Sequence, residues 1–547
     1  MHIGSFTVYE TLLHCDQCRH GAVYHSEELA QLVPNGCRFG YDVMIHIGQA
    51  LFIRHRSHLE VIEELASKNI RVSASEIDHL GKKFIIYLAV AHRQSAGRLK
   101  TALKMNGGYT LHLDGTFEHK ASVLMTGIDS ISELVLGNVK LPSEKSDKII
   151  PFLEDILAKF GTPLAVVNDM GRGIIKAVET VFPNTRNYIC HFHFLRDIGK
   201  DILEPEYTVI RKNLKSHGIS SLLRSRARTL KSLIDDHPHS IDLFRYHFGC
   251  PDEMSSDDMD LFATVMAYSL IQWVLDGKNQ GQGYGFPFDH PHLIFAKRIR
   301  LLYEQINEKL CSDNVSDKLK HKYFHKILKD LKPVINNSTL FRTVDEISSK
   351  IALFDKLRDA MRIAPVSGQK GLNCDGLSSN MQTIENRVKS FCKWLGSQKS
   401  LTEKTEVQKL IKQLNKYWEK LFADPITVYT STGKKTVQPQ RTNNIMERFF
   451  RDLRRGHRRK TGNNSMSRAL RSLLADTPLV KNLENREYMD IILNGKNSLE
   501  ELFADIDNTL VRKELKKAKC SPDKIPATLK KMISKPVFFE IALDTIN

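Results

Sequence analysis

The sequence predicts an α/β protein whose mixed sheet is broken by a large all-α insertion. Three patterns carry this expectation. Tyr109 to Asp114, Ser122 to Gly127 and Leu134 to Val139 alternate as strands, with a turn signal at Asp129-Ser130 between the last two. Leu164 to Val167 is a short continuous apolar run, as in a strand buried on both faces, and Arg186 to Cys190 reads as a further strand. From about 200 to 440 the periodicity is helical, with no strong strand run.

Taken in order, residues 1–40 hold Cys15-x-x-Cys18, with His14, His20, His25 and Cys37 nearby. One such knuckle supplies two zinc ligands where a structural site needs four. The segment therefore reads as a degenerate Zn²⁺-binding segment or as ordinary thiols. Residues 41–100 read as a helical module. Leu59, Ile62 and Leu65 share a helix face, and Ser73 with Glu76 fits a capping box that starts a second helix through Ile77, Leu80, Phe84 and Leu88. Helix, short turn and capped helix is the helix-turn-helix pattern, and a plain helical hairpin is the alternative.

In residues 105–200 the three strands are followed by a helix over Ser146–Phe160, the strand at Leu164, a helix over Gly173–Phe182, the strand at Arg186 and another helix. The order β-β-β-α-β-α-β-α, an antiparallel trio leading into parallel crossovers, is the layout of an RNase H-like core. Residues 201–438 would form the helical insertion, 439–475 the second part of the core, and 476–547 a helical, Lys-rich region without an assigned role.

The 547 residues carry 80 Lys+Arg against 63 Asp+Glu, a net charge of +17, which favours a polyanionic partner, most simply nucleic acid. Nine scattered cysteines argue for a reducing compartment without structural disulfides. The N-terminus lacks the pattern of a secretory signal, and the apolar run at Phe84–Ala91 is too short to span a bilayer. A cytoplasmic, nucleoid-associated protein with no membrane partner is expected.

Three acids fall at informative places. Asp114 is expected at the end of the first strand, and Asp169 at the end of the fourth, before the turn Met170-Gly171-Arg172-Gly173. Ligand sites in such sheets gather at strand carboxyl ends. Two facing carboxylates repel unless a cation lies between them, and oxygen ligands select Mg²⁺ or Mn²⁺. Glu447 is the candidate third ligand of a two-ion site. It heads Thr442-Asn443-Asn444-Ile445-Met446-Glu447-Arg448-Phe449-Phe450-Arg451-Asp452-Leu453-Arg454-Arg455. At helical spacing Met446, Phe449, Phe450 and Leu453 form an apolar stripe, with Glu447, Arg451, Arg454 and Arg458 in a second line. An amphipathic helix with a solvated charged face is the other reading.

Four blocks resemble those of DDE transposases. Leu111-His112-Leu113-Asp114-Gly115-Thr116 is similar to the D-x-T segment, and Val166-Val167-Asn168-Asp169 to the second acid block. Tyr188-Ile189-Cys190-His191-Phe192-His193 matches the C-x-x-H signature of the Mutator-like branch and its bacterial insertion-sequence relatives, and Thr442 to Arg448 resembles the block with the third acid. The likeness covers roughly 40–200 and 435–470. The gap of 447 − 169 = 278 positions suits the helical domain that interrupts the core in that branch.

The resemblance implies Mg²⁺-dependent (or Mn²⁺-dependent) strand cleavage and strand transfer of an insertion-sequence element. Asp114, Asp169 and Glu447 would be the carboxylate ligands of two metal ions. Double-stranded DNA, as element ends and target, would be the partner of a homo-oligomer. Arg448, Arg451, Arg454, Arg455, Arg458, Arg459 and Lys460 would neutralise phosphates. Cys190 and His193 fall on the C-x-x-H motif without an assigned chemical step. Relatives commonly carry a complete zinc module, and only Cys15 and Cys18 are clear here. The alternatives are a catalytically idle transposase-derived DNA-binding protein and another RNase H-like nuclease. A pure binder has no need of three acids, and a nuclease no evident need of the insertion.

Overall fold

Alternating apolar side chains make Thr110–Thr116 (β3) the middle strand of a five-stranded sheet. The computed structural model describes residues 26–519 except 35–36, 119–120, 250–253, 312–321, 365–379, 399–402 and 440–441, together with 4, 7–9, 13–14, 17, 23–24, 527–538 and 541. The chain divides into two units, one of residues 1–190 with 419–547 and one of 191–418.

In the first unit a two-residue ribbon, Leu13–His14 (β1) with Val23–Tyr24 (β2), precedes helices Glu27–Leu32 (α1), Tyr41–Phe52 (α2), His58–Ala66 (α3), Ala74–Gln94 (α4) and Ala96–Met105 (α5). Cys15, Cys18, His20 and His25 lie outside the described residues. Cys37 is described, and its Sγ accepts from Lys83 Nζ at 2.8 Å. The expected helix, turn and capped helix are α3 and α4, and Ser73 Oγ accepts the Glu76 amide at 3.2 Å. From Lys83 to His92 every residue of α4 is buried, because α2 crosses it closely: a Cβ on Gly48 would meet the Phe84 ring at 2.2 Å. Exposed surface on α4 is confined to its first turns and last residues, and the first turns carry Glu76 and Asp78.

The sheet order is β5-β4-β3-β6-β7, with Val123–Asp129 (β4), Val135–Leu141 (β5), Ala165–Asn168 (β6) and Arg186–Ile189 (β7). β4 runs antiparallel to both β3 and β5, and β6 parallel to β3 and β7. The carboxyl ends of β3, β5, β6 and β7 therefore share one edge. Helices Ser146–Phe160 (α6) and Arg172–Val181 (α7) form the crossovers. The apolar run at Val166 and Val167 is fully buried, as a strand flanked on both sides must be. Asp114 does not end its strand as expected: β3 continues to Thr116, because Gly115 and Thr116 still pair with Met125 and Leu124. Asp169 follows β6 directly.

The helical unit is built from His191–Ser216 (α8), Ile219–Asp236 (α9), Ser240–His247 (α10), Ser256–Asp276 (α11), Pro291–Leu310 (α12), Lys322–Ile335 (α13), Ser338–Ala360 (α14) and Met381–Ser397 (α15). The helix Thr405–Leu421 leads back to the first unit. The stretch expected to lack strands ends in a hairpin, Ile426–Thr430 (β8) with Gly433–Val437 (β9). Its burial pattern is too exposed to give an apolar signal. Asn444–Thr461, the arginine helix, then packs on β3. Its Met446, Phe449 and Phe450 join one apolar core with the sheet, α2–α7 and residues 479–511. No helix among the described residues is long and apolar enough to cross a membrane.

Candidate metal centre and nucleic-acid interface

β3 and β6 pair in register with Leu113 opposite Asn168, so one further step sets Asp114 against Asp169. Asp114 is 9% exposed, and its Oδ1 accepts from the Gly115 amide at 2.8 Å. Asp169 Oδ1 accepts from the Gly171 amide at 2.9 Å, which fixes the turn into α7. Burial pushes the Asp114 carboxyl well above the usual carboxylate range, and the negative charges of Asp169, Glu447 and Glu144 push it the same way. The Gly115 amide opposes them. Asp169 and Glu447, the other two acids expected from the sequence, thus each lie within electrostatic reach of Asp114.

Glu144 is the acid that sequence reasoning missed. It sits in the β5–α6 connection, at the same sheet edge as Asp114 and Asp169. Burial and the Asp169 charge raise its pKa. Two glycines make room for it. A Cβ on Gly115 would lie 2.6 Å from Glu144 Oε1, and one on Gly173 would lie 1.8 Å from the Glu144 carbonyl oxygen. Each glycine belongs to a segment bearing an expected acid. The available signal was topological: β5 runs parallel to β3, so its following loop emerges where ligand sites gather.

Asp129 shows what a structural buried acid looks like. Its carboxylate accepts from the amides of Thr110 (2.9 Å), Ile131 (3.1 Å) and Ser132 (2.9 Å) and from Ser132 Oγ (2.6 Å). That set closes the β4–β5 turn. Among the described residues, Asp114 accepts from the Gly115 amide.

The arginine helix presents Glu447 at its first turn, where the N-terminal dipole favours a carboxylate. Asn443 holds that turn in place. Its Nδ2 donates to Leu113 O at 3.0 Å, its Oδ1 meets His112 Nδ1 at 2.9 Å, and its amide donates to Cys190 Sγ at 3.2 Å. Burial lowers the His112 pKa to about 4, so the ring is neutral near pH 7. Leu113 O can only accept, so Nδ2 must face it and Nδ1 of His112 carries the proton.

Arg451, Arg454, Arg455, Arg458 and Arg459 are exposed along this helix. Arg454 Nη2 reaches Thr116 Oγ1 at 3.4 Å, two residues beyond Asp114. A cleft of about 300 Å³ there is lined by Thr116, Phe117, Arg454 and Asn464 among others, and Phe117 is 57% exposed. Arg448 pairs with exposed Glu133 at 3.1 Å, a contact of little energy. Lys460 lies over the Phe52 ring at 5.5 Å, and burial lowers its pKa. It is therefore placed for packing more than for phosphate contact. A larger cavity of about 750 Å³ lies on that flank, against Phe52, His55 and Lys460, and none of the four acids lines it.

Cys190, buried directly after β7, ends the first segment of the first unit, and its amide donates to Asn168 O at 2.8 Å. His193 is the third residue of the second unit, where burial, with Arg196 and Lys200, lowers its pKa to about 3.

The donor set at the sheet edge is all carboxylate oxygen, which suits a hard divalent cation such as Mg²⁺ or Mn²⁺. Among the described residues no three His, Cys, Asp or Glu side chains converge tightly enough to form a ready-made metal site. Known family models give no match to this chain, and a comparison with curated proteins finds no significant relative.

Proposed function

We propose that the chain is a DDE-type transposase that cleaves and rejoins DNA strands with the help of two divalent cations. The observation that carries this reading is the electrostatic reach of Asp169 and Glu447, from distant segments, to the buried Asp114, whose charge burial alone would disfavour. The placement of Asp114 and Asp169 on neighbouring strands of a β5-β4-β3-β6-β7 sheet is the arrangement expected of an RNase H-like core. The long helical unit between Asp169 and Glu447 agrees with the insertion of the Mutator-like branch.

In this reading Asp114, Asp169 and Glu447 would hold the cations, with Glu144 beside them. Bound there, the ions would lower the pKa of an attacking water or 3′-hydroxyl and stabilise the departing oxygen. The rest is the work of the chain itself. Arg451, Arg454, Arg455, Arg458 and Arg459 contact phosphates, which positions the duplex without reading its sequence. Phe117, exposed beside Arg454, offers a face on which a base next to the scissile phosphate stacks. Sequence choice belongs to another surface; on the first turns of α4, Glu76 is half-buried and the exposed Asp78 pairs with Lys82. The active form is a homo-oligomer holding paired element ends.

The test is cleavage and 3′-end joining on the DNA flanking the coding region, with Mg²⁺ or Mn²⁺. Asp114→Asn, Asp169→Asn and Glu447→Gln are expected to lose cleavage by at least about 10³-fold while keeping DNA affinity. Cleavage at the wild-type rate by any of them removes that residue from the site.

A further inference from the structure

The C-x-x-H cysteine has no chemical step in the function proposed above, yet it occupies a node between all three acid-bearing segments. Its amide is bonded to Asn168 O, the carbonyl directly before Asp169. Its thiol accepts the amide of Asn443 at 3.2 Å. Asn443 in turn bonds Leu113 O, the carbonyl directly before Asp114, at 3.0 Å. The carbonyl of Asn443 receives the Glu447 amide at 3.0 Å. Cys190 is fully buried and so is Asn443. The bonds that link Asn168, Cys190, Asn443 and Leu113 lie among fully buried residues, where leaving a donor unmatched is costly.

We infer that Cys190 and Asn443 form a latch that sets where Glu447 stands relative to Asp114 and Asp169. Cys190 is a positioning residue and touches no reacting atom. A β-strand end cannot by itself fix the angle of a helix arriving from more than 250 residues away in sequence. The Cys190 thiol does so by taking the one amide of Asn443 that the helix leaves unsatisfied at its N-terminus. The small, polarisable sulfur fits a closed space and still accepts a hydrogen bond. The two side-chain bonds of Asn443 then lock the same turn to β3. A misplacement of about 1 Å at a reacting centre is enough to cost about 100-fold in rate, so a latch of this kind governs activity without adding chemistry.

The inference rests on the proposed function only for its catalytic readout, and the experiment separates the two. Full-length Cys190→Ser, Cys190→Val, Cys190→Ala and Asn443→Ala are compared with wild type. The readouts are amide hydrogen exchange over 442–450, Mn²⁺ titration of the DNA-free protein, and cleavage with DNA affinity measured separately. The latch requires that Ala and Val variants behave alike. Exchange at the Asn443 and Glu447 amides rises by about tenfold, Mn²⁺ affinity falls by about tenfold, and kcat drops about 100-fold at unchanged DNA affinity. Ser restores these toward wild type because a hydroxyl accepts the same bond. If Cys190 only fills space, Val rescues and Ser does not, and that result overturns the latch. Exchange over 442–450 unchanged in Cys190→Ala and Asn443→Ala overturns it as well. If wild type neither binds Mn²⁺ nor cuts DNA, the transposase reading fails, and the exchange data with Ser against Val still decide the latch.

Discussion

At the scale of single residues, the contrast between Asp114 and Asp129 separates an acid set among other acids from one tied into a turn. Both are buried. Asp129 is matched by four donors that close a turn, whereas Asp114 faces other carboxylates. Burying charge next to like charge destabilises a fold, so such a cluster persists where something else compensates. Glu144 belongs to the cluster, and that membership is testable. Glu144→Gln removes one negative neighbour of Asp114, whose carboxyl is raised partly by it. The Asp114 pKa should fall, because the charge that opposed its ionisation is gone. The acidic limb of the pH–rate profile should then move to lower pH, while Mn²⁺ affinity at neutral pH drops by about tenfold with one ligand or support lost. Gly115→Ala should mimic the affinity loss, since its new Cβ would meet Glu144 Oε1 at 2.6 Å. A metal titration and a pH limb both unchanged in Glu144→Gln would place Glu144 outside the site.

At the scale of elements, the arginine helix has one face joined to the core and one left to solvent. Met446, Phe449 and Phe450 are buried, and Gly456 packs so closely on His55 that a Cβ would lie 2.4 Å from its ring. The helix is therefore fixed in rotation, and the exposed arginines point where that rotation sends them. Neutralising Arg454 and Arg455 together should flatten the slope of log K against log[salt] for duplex DNA by about one to two units. The same double change at Arg448 and Lys460 should alter it less, because Glu133 and the Phe52 ring already hold those two. Equal slopes for both double variants would move the DNA off this helix. How legible each element was follows from what its residues must satisfy. The central strands and α6 were readable because burial on one or both faces forces an apolar period. The hairpin Ile426–Val437 was not, since most of its side chains face water. Asp114, Asp169 and Glu447 stood out because each lies within a motif block, Asp169 directly after β6 and Glu447 in the first turn of its helix. Glu144 and the Cys190–Asn443 bond depend on which strand lies parallel to which and on a contact across 253 positions, and no local pattern records either.

At the scale of the whole molecule, the first unit is stitched by contacts between its beginning and its end. His92 on α4 shows how. Its Nε2 meets Leu136 O on β5 at 3.1 Å and its Nδ1 meets Tyr488 Oη at 3.1 Å, so three distant segments share one ring. The Leu136 carbonyl only accepts, so Nε2 carries the proton and Nδ1 accepts from the tyrosine. Arg93 beside it bridges Asp476 and Glu514. Burial lowers the His92 pKa from 6.5 to about 4, so folding keeps the ring neutral in a range where the unfolded chain would protonate it. Between those two values the unfolded state binds more protons, and stability must fall as pH falls. Above pH 6.5 the contribution is fully present, and it is lost progressively down to about pH 4. By pH 5 this one histidine costs about 2 kcal/mol relative to pH 7. His112, held at about 4 by the same cause, adds in the same direction within the same unit. Urea denaturation at pH 7 and pH 5 should thus show a marked loss of stability on acidification. His92→Gln, which cannot titrate, should be less stable than wild type at pH 7 yet lose about 2 kcal/mol less between the two pH values. An equal pH dependence in both proteins would mean that the ring is not held neutral, and that the junction of α4, β5 and Tyr488 is open to water.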